Sequence, residues 1–195
     1  MVAGAGASLE EAFLAARIQE ALGGGPRIVI SPAISDIPDD GKLIRTDRFP
    51  NRRGLIAMGF VEATDLGDTP DVDGLIVLRA DPVAQDAAWV AVLENLDATV
   101  VVDDRAGETT AYADQILAVG SHFEARGTFV NRDGNAQRFV PAVAPPGSAV
   151  AGWQALALLL AAVGGPSYRD YEAVLSAISQ GLHAGAAPTS VAVSS

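Results

Sequence analysis

Gly74-Leu-Ile-Val-Leu-Arg-Ala-Asp-Pro82, the segment from Val83 to Leu96, and Thr99-Val-Val-Val-Asp-Asp104 form the stretch that decides the fold. Leu75–Leu78 and Val100–Val102 are uninterrupted apolar runs of strand length. A strand with one wet face alternates apolar with polar, whereas a strand apolar at every position is covered on both sides. Each run stops on a charged or turn-forming group, Arg79-Ala-Asp-Pro82 in one case and Asp103-Asp104 in the other. The residues between them, from about Val83 to Leu96, predict one helix. Strand, helix and strand in that order make parallel pairing the expectation, because the helix carries the chain back to the starting edge.

Working outward, Arg27-Ile-Val-Ile-Ser31 reads as another buried strand closed by Pro32, and Gln115-Ile-Leu-Ala-Val119 as a fourth. Ser8-Leu-Glu-Glu11 is a capping box, and Leu9, Ala12, Phe13 and Ala16 then share one helical face widened by Ile18 and Leu22. Gly23-Gly-Gly-Pro26 ends that helix. Asn51 to Gly59 predicts a short helix or turn. The C-terminal third predicts two helices, Ala149 to Val163 with Trp153, Leu156 and Leu160 on one stripe, and Tyr168 to Leu182, separated by Gly164-Gly-Pro166. The expectation is a single α/β domain over residues 1–183: a mainly parallel sheet of about four or more strands, flanked by helices in three layers. Residues 32–50 are turn-rich, and 184–195 read as a loose C-terminal tail.

At 195 residues with 49% hydrophobic and 19% charged side chains, the chain suits one ordinary globular domain. A net charge of -11 argues against nucleic acid or anionic lipid, both of which need a cationic footprint. Without cysteine there is no thiolate for an iron–sulfur cluster, a disulfide or a cysteine zinc site. The longest apolar run, Ala155–Val163, is too short to cross a bilayer, and no basic leader precedes it, so a cytoplasmic location is expected.

No residue is assigned a catalytic role and no metal site is assigned. Gly4-Ala-Gly6 opens a helix, but a phosphate-binding turn needs a preceding strand and a third glycine, so a flexible N-terminus is expected. Asp103-Asp104 is an acidic strand end of the kind that holds Mg²⁺, yet no phosphate loop accompanies it; a solvated terminus, or a cap for the turn at Gly107, is the reading. Ser121-His122 lacks a nucleophile elbow, and His122 and His183 lack companions for zinc. Glu108-Thr-Thr-Ala-Tyr-Ala-Asp114 and Glu124 to Arg138 read as a capped turn, a short strand and a Gly-punctuated loop. The loop exposes Glu124, Arg126, Asn131, Arg132, Asp133, Gln137 and Arg138; the guanidinium forks of Arg126, Arg132 and Arg138 suit phosphate or carboxylate.

These last segments are similar to two runs of the molybdopterin-oxidoreductase superfamily, E-T-A-x-x-A-D-x-x-L-P and E-x-x-G-T-F-x-N-x-E-G-R-x-Q. In the same order, Ser8 to Gly23 resembles the family helix T-N-E-E-A-Y-L, Asn51 to Gly59 resembles N-x-R-G-A-x-D-M-G, Leu75 to Pro82 resembles the strand ending in G-x-D/N-P, and Pro145-Pro-Gly147 with Trp153 resembles P-P-G-x-x-x-x-x-W. The chain departs from the pattern at Ala118, where the family has proline, and at Asp133-Gly134-Asn135, where it has E-G-R.

The resemblance extends to a relative within bacterial NADH-quinone oxidoreductase, respiratory complex I: the C-terminal region of the subunit denoted G, which keeps this fold without the molybdenum cofactor. It implies the family's Rossmann-like second domain, with residues 32–50 replacing an inserted domain. It also implies a non-catalytic structural or assembly part with no cofactor of its own, iron–sulfur clusters lying in the rest of the parent subunit. Partners would be other peripheral-arm subunits or the N-terminal part of the same subunit, with no nucleic acid and no membrane insertion, at the periphery of the inner membrane. Two alternatives stand beside this. One is a fragment of a molybdopterin-dependent oxidoreductase holding the cofactor's phosphates, with Asp103, Asp104, Glu108, Thr109, Arg126, Asn131 and Arg138 as candidates. The other is a stand-alone small-ligand-binding α/β domain using the same residues. An unpaired strand on one edge of the sheet is also expected.

Overall fold

The computed structural model describes residues 1–30, 40–43, 47–62, 72–184 and 192–193, so most of the 32–50 segment lies outside it. Six parallel strands form the main sheet: β1 Val2–Gly4, β2 Ile28–Ile30, β3 Val61–Glu62, β4 Gly74–Leu78, β5 Ala98–Asp103 and β6 Gln115–Ala118, in the order β3-β2-β1-β4-β5-β6. The helices are α1 Leu9–Ala21, α2 Arg52–Ala57, α3 Pro82–Gln85, α4 Trp89–Leu93, α5 Gly152–Ala162 and α6 Tyr171–Ala184, with a 3-10 turn at Glu108–Tyr112.

Alternation along the strands sends successive side chains to opposite faces, and both faces are covered. Ala3, Val29, Leu78 and Val102 are buried on one side with Leu14 and Ile18 of α1, Leu156 and Leu160 of α5, and Val174 and Ile178 of α6. Val2, Ile30, Val77 and Val101 are buried on the other with Val83 of α3 and Trp89 and Leu93 of α4. This is the helix, sheet, helix layering that the apolar runs imply. Leu22, expected on the buried face of α1, lies past its end and is exposed.

The structure corrects three local expectations. The N-terminus is not flexible: Val2–Gly4 is the third of the six strands in spatial order, paired on both sides, and Met1 to Ala5 are buried. Three small residues, Val-Ala-Gly, make too short an apolar run to read as a strand. Gly4 is required there, because a Cβ would sit 1.9 Å from the Arg79 carbonyl oxygen. The helix expected from Val83 to Leu96 is two short helices, divided where Asp86 turns extended (φ -151°, ψ 116°) and its carboxylate accepts from Ala88 N at 2.9 Å. A short polar side chain that bonds nearby backbone competes with the helix ladder. The strand and loop from Glu124 to Arg138 form a hairpin, β7 Gly127–Val130 antiparallel to β8 Asn135–Phe139. Its turn is closed by Asn131 Oδ1, which accepts from the Asp133 and Asn135 amides, and by Gly134 at φ 87°.

Of the tail, Ala192–Val193 form β9, parallel to β8, while 185–191 and 194–195 lie outside the described residues. β6 is the outermost strand on its side, and Val119 just beyond it bridges to Val150. No helix among the described residues is long and apolar enough to cross a membrane.

Candidate functional site

The chain runs outward from β1 to β2 and β3, then returns to place β4 on the other side of β1. In a doubly wound sheet, the crevice at the carboxyl ends of the strands where the order reverses is where ligands sit. A cleft of about 360 Å³ lies there, lined by Gly6 after β1, Arg79–Asp81 after β4, Val101 and Asp103 of β5, Asp104–Gly107 after it, and Thr109, Thr110 and His122.

Arg79 forms the floor. Its backbone is left-handed (φ 47°), a conformation that a non-glycine residue holds only when its surroundings fix it. Its guanidinium donates through Nε and Nη2 to the Glu11 carboxylate (2.7–3.0 Å), through Nη1 to Asp104 Oδ1 (2.8 Å) and through Nη2 to the Gly120 carbonyl (2.8 Å). Burial works against the charge, but the carboxylates of Glu11, Asp104 and Asp103 offset it and raise the Arg79 pKa above its ordinary value.

Asp81 builds one wall. It caps α3 through Ala84 N and accepts from the amides of Glu108 and Thr109 and from the Thr109 hydroxyl (2.6 Å). Burial pushes its pKa up, yet the bonds from Thr109, Glu108 and Ala84 hold it below the usual carboxylate range. Thr109 is therefore committed to the wall, the more so because its oxygen also accepts from Val83 N.

On the opposite side, burial and then the charge of Arg79 lower the pKa of His122, whose ring packs against Phe129 and Phe139. Asp103 is pushed up to about 6, first by burial and also by the adjoining Asp104 charge, although it accepts from the Asp104 and Arg105 amides. A carboxyl whose folded pKa is raised binds its proton more readily folded than unfolded, so its contribution to stability is lost as pH climbs from about 4 to about 6. Asp103→Asn keeps the acceptor oxygen and removes this titration. The variant is expected to exceed the wild type by about 1–2 kcal/mol at pH 8, after allowance for solvent screening, and to match it at pH 4. Urea unfolding at the two pH values checks this; an equal difference at both would refute it.

Of the sequence candidates, the cleft brings together Asp103, Asp104 and Thr109. Glu108 lies beside it and is exposed. Arg126, Asn131 and Arg138 are not among its lining: Arg126 lies over the Tyr171 ring at 5.4 Å, Asn131 closes the hairpin turn, and Arg138 pairs across the hairpin with Thr128. Sequence reasoning missed Arg79 and Asp81, and set Gly6 and His122 aside. The available signal was position, since Arg79 and Asp81 directly follow a buried strand, at the end where such sheets bind.

The residues that carry the sequence motifs hold one another. Glu10, fully buried, accepts from Thr128 N, Thr128 Oγ1 and Tyr171 Oη (2.7–2.9 Å). Asn51 donates to the Ala7 carbonyl and accepts from Val130 N, both at 2.7 Å. Asp114 accepts from Thr99 N, and Glu124 from Ser121 N and Oγ.

A parallel sheet in this order, with helices on both faces and a cleft at the reversal, defines a doubly wound α/β domain. Within that class the chain belongs to the molybdopterin oxidoreductase family, whose model matches residues 50–162, more than half of its length. A comparison with curated proteins finds no match.

The family implies a pterin cofactor bearing phosphates, and the residues of this cleft do not fit such an anion. Asp81, Asp103 and Asp104 face it, while the Arg79 guanidinium is already engaged by Glu11, Asp104 and the Gly120 carbonyl; Arg105 stands at the rim with its side chain 87% exposed. Nor does any group of three or more His, Asp or Glu side chains among the described residues stand ready to hold a metal.

Proposed function

We propose that this chain is a structural and assembly part of an NADH-quinone oxidoreductase of the complex I type, corresponding to the C-terminal region of the iron–sulfur subunit denoted G and contributing no electron carrier. The observation that carries the reading is the self-pairing of the motif residues. Glu10 with Thr128, Glu11 with Arg79, Asn51 with Val130, and Asp81 with Thr109 spend the polar groups on holding the frame together. A domain that keeps the family's fold while committing its charges internally suits a scaffold better than a cofactor carrier. In this reading its partners are peripheral-arm subunits or the N-terminal part of the same subunit, and its place is at the periphery of the membrane.

One observation favours the alternative of a cofactor- or ligand-binding fragment: the cleft sits where doubly wound folds bind nucleotides, with Arg105, Thr110 and His122 on its lining. Thermal unfolding of the chain in rising concentrations of a molybdopterin dinucleotide or a nucleotide separates the two. The scaffold reading expects no ligand-dependent change in midpoint. A saturating rise of several degrees, as mass action requires of a ligand bound only by the folded state, would establish the alternative.

A further inference from the structure

We propose that Glu11 is the resident anion of an oxyanion cradle, filling from within the chain the place where a doubly wound domain receives a ligand phosphate. The position is the first βα turn, the link from β1 to α1, where the amides at a helix N-terminus and the helix dipole favour negative charge. Glu11 is the third residue of the α1 helix, and its side chain folds back over that terminus. Oε2 accepts from Ser8 N at 2.8 Å and from Arg79 Nε at 2.9 Å, and Oε1 accepts from Arg79 Nη2 at 2.7 Å and from Arg79 Nε at 3.0 Å. An amide from a helix start with a forked guanidinium is what grips a phosphate.

The surroundings are shaped to this charge. The side chains of Glu11 and Arg79 are 4% and 5% exposed, so neither is a surface ion pair. Gly152, at the start of α5, leaves the room that the carboxylate takes: a Cβ there would fall 1.8 Å from Glu11 Oε1 and 3.1 Å from Arg79 Nη2. Gly4 leaves room for the left-handed Arg79 backbone on the other side. Arg79 is also among the residues that line the cleft described above. With Glu11 in place the cradle is closed to external oxyanions; without its carboxylate, the same donors define a site for inorganic phosphate or sulfate.

This self-ligation deepens the scaffold reading, and the two are tested by separate titrations: dinucleotide cofactor on the wild type for the scaffold, and inorganic phosphate on Glu11 variants for the cradle. Thermal unfolding is followed for the wild type, Glu11→Ala, Glu11→Gln and Glu11→Ala/Arg79→Met while phosphate replaces chloride at fixed ionic strength. The midpoint of Glu11→Ala is expected to rise with phosphate and saturate, by roughly 5–10 °C at a hundredfold excess over its dissociation constant. The wild type and the double variant are expected to show only the gradual, unsaturating rise that phosphate gives any folded protein. Glu11→Gln, whose side-chain oxygen still occupies Ser8 N, is the filled-cradle control, and the refolding yield of Glu11→Ala in phosphate against chloride is a second readout where that variant gives little native protein. Absence of a phosphate response in Glu11→Ala by both readouts, or an equal response in the wild type or the double variant, would overturn the proposal.

Discussion

Arg79→Ala is expected to destabilise the domain by about 3–5 kcal/mol, because the substitution strands a carboxylate rather than merely deleting a bond. Glu11 is buried, and apart from the Ser8 amide its hydrogen-bond partners are the nitrogens of Arg79. The loss also uncouples Asp104 and the Gly120 carbonyl, which reach the same guanidinium. For a domain whose total stability lies at roughly 5–15 kcal/mol, that is a large share. Urea unfolding measures it. The cause is separable from the size of the loss: Arg79→Met/Glu11→Leu removes both charges and fills the space, and should recover most of the stability, since an apolar replacement of a buried pair is often neutral. A double variant no more stable than Arg79→Ala would show that the ion pair is not what the single variant breaks.

Asn51→Ala is the second large effect, about 2–6 kcal/mol, from two orphaned backbone groups at roughly 1–3 kcal/mol each. The Asn51 side chain is fully buried and joins the loop before α1, through the Ala7 carbonyl, to β7, through Val130 N, over separations of 44 and 79 residues. Gly54 stands close for this reason, as a Cβ there would lie 2.1 Å from Asn51 Oδ1. Asn51→Asp should fare little better: it can still accept from Val130 N but has nothing to donate to Ala7. Hydrogen exchange at the Val130 amide reads the mechanism directly. Its protection should collapse in Asn51→Ala, and full protection there would mean that the side chain is dispensable.

The fold was legible where the residues themselves were decisive. Leu75–Leu78 and Val100–Val102 are apolar at every position, and burial on both faces is the physical cause of that pattern. β1 was not legible, because the centre of a sheet tolerates Ala3 and Gly4 where neighbouring backbone crowds in, and such residues carry no strand signal. The break at Asp86 and the hairpin of β7 and β8 depend on local side-chain bonds, from Asp86 and Asn131, that composition and periodicity do not register. Asp103 and Asp104 could be placed at the cleft from sequence because they stand at the end of a buried strand. In sequence, Glu11 reads only as a capping residue and Arg79 only as the end of a strand, because their pairing spans 68 residues.

The shortness of β1 has a mechanical consequence. Its register with β4 runs only from Val2 and Ala3 to Val77 and Leu78, whereas β4 and β5 stay in register from Gly74 to Leu78 against Ala98 to Val102. The middle of the sheet is thus a seam, with β3 and β2 on one side and β4, β5 and β6 on the other, stitched by little backbone. What spans it at the carboxyl end is a side-chain tie: Glu11, carried by the helix that follows β1, gripped by Arg79, carried by the end of β4. A pull that parts the two halves of this domain would load that buried clasp together with the sheet and the helix-side core.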